Sequence, residues 1–354
     1  MKDFKQCISP KRQPAPTPKS LVENGNTVFG TFDKEFESME LLKCKKPVGK
    51  FFPELFKKFR LSLWEAVEIH LDNGVLLAAV CDMGMFGMVL NIFYDKRKKK
   101  VYSWSSIFSS SKTKIAPNLL NGSISEAQTK NSHVKYINNF QEGKCWISGS
   151  YFDKENKIEY KFELERVSLP GIVSIPFGPN RPLYSQKDLF RATGRLMLND
   201  EAFESNNHTT AIVDDHKGYY PYKAHYDWLT TMGRNVNGEK KYFAFNLTRN
   251  QSIDQENYNE NLIWFEDRIS LLPPVIFKHN ENNSVWTVTD EHDMVKITFD
   301  VADDKYHMAV HAGIIDINYY VVFGEIKGYI RDTEGNKYVL DGMMGMGEDK
   351  SLRF

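Results

Sequence analysis

At 354 residues the chain has room for two domains and a sizeable buried core. Its 46 Lys and Arg balance 46 Asp and Glu, and a net charge of zero excludes a general binder of nucleic acid or acidic membranes, which needs a one-sided field. The four cysteines, Cys7, Cys44, Cys81 and Cys145, form no CxxC pair and no metal-ligand spacing, which points to reduced thiols in a cytoplasmic protein.

The chain opens without a signal pattern, and Pro10, Pro14, Pro16 and Pro18 predict a flexible tail over residues 1–23. A short strand is expected at Thr27–Asp33, and Phe51–Phe59 is the best helical candidate. Leu61–Leu71 then alternates with period two, with Glu65 the one polar break on its apolar face. Asp72-Asn73-Gly74 closes a hairpin, because Asn-Gly accepts positive φ. Gly74–Phe93 is long and apolar, yet Asp82, Gly84 and Gly87 favour two buried strands over a membrane span. The basic run Lys96–Lys100 fits a solvated hairpin turn, and strand-like runs recur to Val167. Strands about ten residues apart with hardly a helix between them predict an antiparallel sandwich or barrel, and a barrel removes exposed edges.

Pro170–Pro182, rich in proline with Gly171 and Gly178, reads as a linker. Strands resume at Ala192–Asn199 and Phe203–Val213, and a further set runs from Lys241 to Leu340. The expectation is an all-β chain of two tandem antiparallel barrels or half-barrels, a first domain over residues 24–205 and a second over residues 206–354.

The densest chemistry lies between these sets. Asp214, Asp215, His216, Tyr219, Tyr220, Tyr222, His225, Tyr226, Asp227 and Trp228 fall within fifteen positions. A carboxylate beside an imidazole tunes both groups toward neutral pH, so Asp214, His225 and Asp227 are candidate acid–base residues. The plainer alternative makes Asp214-Asp215-His216 a turn whose aspartates cap backbone N–H groups. In a strand His225 and Asp227 share one face, with Tyr226 and Trp228 on the other, as at a barrel mouth. Tyr220, Tyr222, Tyr226 and Trp228 are candidate ligand contacts, with Asn246, Glu260 and Asn261 either lining a cavity or holding loops, and Trp64 either core or pocket wall. His307 and His311 share a face and Asp290–Asp293 offers more donors, but they lie in separate segments, so no metal and no cofactor is expected. Gly342–Gly347 reads as a glycine-rich loop without the Lys-Ser/Thr helix of a phosphate cradle.

Several segments carry a resemblance, in order: RLSLWEAV around Trp64, LYSQKD with Tyr184 and Lys187, ATGRL with Gly194, then Asp214, Gly218, Pro221, Tyr222 and Trp228. FNLT at Asn246, YNENLIW with Glu260 and Asn261, FGEIKG and DGMMGMGED follow. Together they resemble domain of unknown function 2804, in the calycin or lipocalin-like superfamily, from about Asn24 to Phe354. Tyr220 and Tyr226 depart from the family's tryptophans and Asp227 from a frequent asparagine, so the resemblance carries no catalytic role to Asp227. It implies tandem lipocalin-like barrels, with carotenoid hydratase-like, AttH-like and cyclase-like proteins as distant relatives. Two functions follow as expectations: a cytoplasmic protein binding an apolar or amphipathic, lipid- or isoprenoid-like molecule in a barrel cavity, or a cofactor-free hydratase, isomerase or cyclase using a motif carboxylate as general acid. No nucleic-acid partner and no integral membrane segment are expected.

Overall fold

The structure is a computed structural model describing residues 12–234, 236–238, 240–313 and 315–353. The tail residues 1–11, including Cys7 and Pro10, lie outside the described residues. The chain divides into an N-terminal unit, Ala15–Tyr220, and a C-terminal unit, Pro221–Phe354 with residues 12–14. Each is built on one large antiparallel sheet. Among the described residues helices are single turns, such as Lys57–Arg60 after a 3-10 turn at Glu54–Phe56, overlapping the segment expected to be helical.

In the N-terminal unit the main path of the sheet has eleven strands. It runs from Lys100–Ser109 through Phe86–Asp95, Gly74–Asp82 and Ser62–Leu71 to Thr210–Gly218, then through Pro182–Leu198, Lys157–Arg166, Lys144–Phe152, Ser132–Asn139 and Ser123–Gln128 to Thr113–Lys114. The hairpins expected at Asn73-Gly74 and at the basic run form as alternation predicts. Hydrogen bonds across the inside prove the curl. Tyr136 Oη donates to the Ala78 carbonyl at 2.7 Å, and Tyr160 Oη to Asn91 Oδ1 at 2.7 Å, although these strands stand far apart along the path. The sheet is a nearly closed barrel around a core that includes Val67, Ile69, Phe93, Tyr136, Phe162, Phe190 and Val213.

Three expectations need correction here. Gly171–Pro176 is a buried strand, not a linker: its prolines sit where pairing ends, and the segment bonds both Gly30–Phe32 and Pro182–Leu198. Thr210–Gly218, assigned to the second set on spacing, is a central strand of the first barrel, so the division falls between Tyr220 and Pro221. Residues 12–23 are not a loose tail. The buried Arg12 guanidinium donates to the carbonyls of Asn259 and Asn261, both at 2.6 Å, and of Leu272 at 3.1 Å, and Leu21 and Val22 enter a core with Phe36 and Tyr184.

The C-terminal unit is a half-barrel whose order is Ile269–Leu271, Leu262–Phe265, Phe243–Arg249, Lys223–Gly233, Met343–Arg353, Ile315–Arg331, Val295–Val301, Val285–Thr289 and Ile276–His279. The expected glycine loop is part of Met343–Arg353, a strand paired on both edges. Its glycines make room for core side chains: a Cβ on Gly347 would stand 2.6 Å from the Trp286 ring. Among the described residues no helix is long and apolar enough to cross a membrane. Cys44, Cys81 and Cys145 are buried thiols.

Candidate functional site

Strand alternation sorts the motif onto two faces. On Thr210–Gly218, Ala211 and Val213 join the barrel core, so Asp215 and Lys217 also point inward, while Asp214 and His216 point outward. Asp214-Asp215-His216 is therefore mid-strand, not a turn. Glu65 lies directly opposite Asp215 on Ser62–Leu71, in line with Val67 and Ile69. Its carboxylate accepts a hydrogen bond from Asn138 Nδ2 at 2.9 Å and is bonded to Ser125 Oγ, both from strands across the barrel. Asp215 is paired with Lys217, and Gln186 and Asp188, bonded to each other at 2.8 Å, extend the group on the next strand. Arg166 Nε stands 2.9 Å from Asp188.

Burial dominates the electrostatics. It pushes the Glu65 carboxyl up to about 7, helped by the charge of Asp215. Burial also raises Asp188 to about 6 against the pull of Arg166, and raises Asp215 against Lys217. One end of the barrel thus holds an acid able to exchange a proton near neutral pH beside a lysine, a glutamine and further carboxyls.

The outward face carries a second group. Lys187 Nζ stands 3.3 Å from Asp214 Oδ1 and 2.8 Å from His216 Nε2, with Ser185 Oγ within 2.9 Å of that ring. Trp64, half-buried, lies opposite His216 on this face. Asp214 is thus held in an ion pair. Tyr220 packs on Phe177 with ring centroids 5.7 Å apart, and its carbonyl accepts from Arg60.

The remaining candidates belong to the C-terminal unit. On Lys223–Gly233 the inward residues are His225, Asp227 and Leu229, the last a core residue. Asp227 Oδ2 is 3.4 Å from His225 Nε2, and its Oδ1 is 3.2 Å from His279 Nε2, on a strand at the far end of the sheet. Asp349, opposite Asp227 in register, is 3.8 Å from each ring. Burial works to raise the Asp227 carboxyl, but His225 and His279 outweigh it and hold it below the ordinary range. The His225 imidazolium is favoured in turn, chiefly by Asp227.

Tyr226 and Trp228 point the other way, as alternation predicts. Tyr226 Oη donates to Glu348 at 3.2 Å, and Trp228 Nε1 donates to Asn246 Oδ1 at 2.5 Å. Asn246 Nδ2 reaches the Glu260 carbonyl at 2.9 Å, Glu260 Oε1 accepts from Asn250 at 2.7 Å, and Asn261 Oδ1 accepts from the Thr248 amide at 2.7 Å. These bonds tie the strand Phe243–Arg249 to the segment that follows it within the same unit. Tyr222 is exposed. A cavity of about 400 Å³ in this unit is bounded by Arg249, Pro273, Val275, Ile276, Phe277 and His292, and none of the candidate residues lines it.

The structure therefore divides the motif: Asp214, Asp215 and His216 serve the first barrel, His225 to Trp228 the half-barrel. Sequence reading missed Lys217, Gln186 and Asp188, and met Glu65 only as a flaw in an apolar face. That flaw was the signal, since a carboxylate at a core position needs partners.

No curated protein matches the sequence. Among solved structures, kievitone hydratase from Nectria haematococca is similar at 11% identity and a TM-score of 0.51, covering 82% of this chain and 88% of its own. CghA is similar at 9% identity and a TM-score of 0.48, over 98% of this chain and 96% of its own. The first likeness is one of fold, and the lipocalin-like barrels agree with it. Residues 14–354 match a known protein family, and the chain belongs to it: the domain of unknown function DUF2804.

Proposed function

We propose that this protein binds an apolar or amphipathic small molecule inside the barrel of its N-terminal unit. The observation that carries the reading is the inner face: mostly aromatic and aliphatic side chains, with Glu65, Asp215, Lys217 and Gln186 converging at one end. Ligand sites have that composition, an apolar wall for affinity and a few placed polar groups for orientation. About eight strands enclose just enough room for side chains or one small ligand, and an eleven-strand path is wider. Trp104, in this core beside Tyr102 and Tyr151, is the reporter. Titration with isoprenoid alcohols and fatty acids should change tryptophan fluorescence saturably at one equivalent, and Trp104→Phe should remove most of that change. A non-saturating response with every probe overturns the reading.

A second reading, cofactor-free proton transfer of the hydratase, isomerase or cyclase kind, is favoured by one group. Glu65 keeps its proton up to about 7, as a general acid at neutral pH requires. Asp227, held ionised by two imidazoles, does not suit the donor's part. The hydratase among the similar structures shares the fold only, so this reading rests on Glu65. Glu65→Gln keeps shape and deletes the acid. An enzyme should still bind and lose turnover by roughly 10²–10⁴, whereas a binding protein has no turnover to lose.

A further inference from the structure

The cluster at the mouth of the half-barrel is built differently from an ordinary surface ion pair. Two imidazoles and two carboxylates from three strands, Lys223–Gly233, Ile276–His279 and Met343–Arg353, meet at one place. Donor atoms of His225, Asp227 and Asp349 all lie within 4.8 Å of one another, and His279 faces both aspartates at 3.2 and 3.8 Å. Asp227 is only 8% exposed. Its Oδ1 and His279 Nε2 are both shut off from solvent and stand 3.2 Å apart.

We infer that His225, His279, Asp227 and Asp349 form a binding site for a divalent transition-metal ion of the zinc class. Imidazole nitrogen and carboxylate oxygen bind zinc at about 2.0–2.2 Å, so neighbouring ligands on a tetrahedron stand about 3.3–3.5 Å apart. His279 Nε2 and Asp227 Oδ1 stand at that edge length, 3.2 Å apart. His225 Nε2 faces the other oxygen, Oδ2, at 3.4 Å, and the Nδ1 atom of each ring lies 3.8 Å from an Asp349 oxygen. Carboxylate and ring rotations must therefore turn one donor atom of each residue onto a common ion. The outer shell is in place as well. Ser351 Oγ is 3.0 Å from His225 Nδ1, Asn283 Nδ2 is 3.4 Å from Asp349 Oδ2, and Trp286 stacks on the His279 ring at 4.3 Å. Such partners fix the tautomer and plane of metal-ligating side chains. Half-exposed His225 leaves a way in for the ion. The strand order alone joins these residues, which is why spacing along the chain does not show them. The inference is independent of ligand binding in the other unit.

The test is titration of the full chain, free of any histidine tag and stripped with chelator, with Co²⁺ and then Zn²⁺. One equivalent of Co²⁺ should develop the visible absorption of a four- or five-coordinate ion, quench part of the tryptophan emission through Trp286, and be displaced by one equivalent of Zn²⁺. His279→Ala and Asp227→Asn should each weaken binding about a hundredfold or more, beyond the roughly 10–100-fold expected for the outer partner in Ser351→Ala. His311→Ala, on an exposed strand, should leave it unchanged. If His279→Ala does not fold, half-exposed His225→Gln serves in its place. No uptake at stoichiometric metal overturns the inference, as does uptake that survives both histidine changes or is lost with His311; the cluster is then an ion-pair clasp.

Discussion

A carboxyl group in a barrel interior titrates where its surroundings allow, and Glu65 makes that measurable. Its folded value of about 7 lies above the ordinary 4.5, with burial the main cause. Below about 4.5 both folded and unfolded chains hold the proton. Between about 4.5 and 7 only the folded chain does, so its contribution to stability is lost as pH rises through that window. The unfolding free energy from urea titrations should fall across this range with a slope of at most about 1.4 kcal/mol per pH unit from this residue. Glu65→Gln should flatten that limb; an unchanged pH profile would mean that Glu65 is ionised in the fold. How much of this was legible depended on chain separation. The alternation of Leu61–Leu71 exposed Glu65 as the polar residue of a core face, but its partners Ser125 and Asn138 lie 60 and 73 residues away. His225 and Asp227 were legible as a pair for the same local reason, whereas His279 and Asp349 reach them only through the curl of the sheet.

Two elements depend on single residues that periodicity does not flag. Pro182–Leu198 changes neighbours along one edge, leaving Thr210–Gly218 after Arg191 and taking Glu201–Glu204 from Arg195. Gly194 sits at that changeover with φ of 154°, and a Cβ there would meet the Lys161 carbonyl oxygen at 2.1 Å. Gly194→Ala should therefore cost about 1–3 kcal/mol, read as a lower urea midpoint with unchanged slope. The second residue is Arg12. Its guanidinium satisfies carbonyls of the segment from Asn259 to Leu272, and removing it strands them in a buried setting. Arg12→Ala should destabilise the C-terminal unit by about 1–3 kcal/mol, while Arg12→Lys restores part of that through one carbonyl at a time. A proline-rich opening reads as a tail because proline disfavours regular structure. Nothing local announces an arginine whose partners follow some 250 residues later, at separations of 247 and 249.

At the scale of the molecule, the all-β architecture was the most legible feature, because strand spacing and turn residues are local. The division of the chain was less so. Thr210–Gly218 pairs with Ser62–Leu71 and Pro182–Leu198, and such long-range pairing leaves no trace in spacing. The proline-rich stretch invited a boundary that belongs after Tyr220. The central claim is that the barrel of the N-terminal unit is a container. Its most direct test is native mass spectrometry of the chain purified without denaturant, before and after incubation with isoprenoid alcohols, fatty acids and planar aromatic alcohols. The account predicts one equivalent of a small organic molecule held as isolated or taken up from that panel. The adduct should leave on solvent extraction, and its affinity should drop on Trp104→Ala. A bare mass under every condition, from protein whose circular dichroism shows the β fold intact, would contradict it.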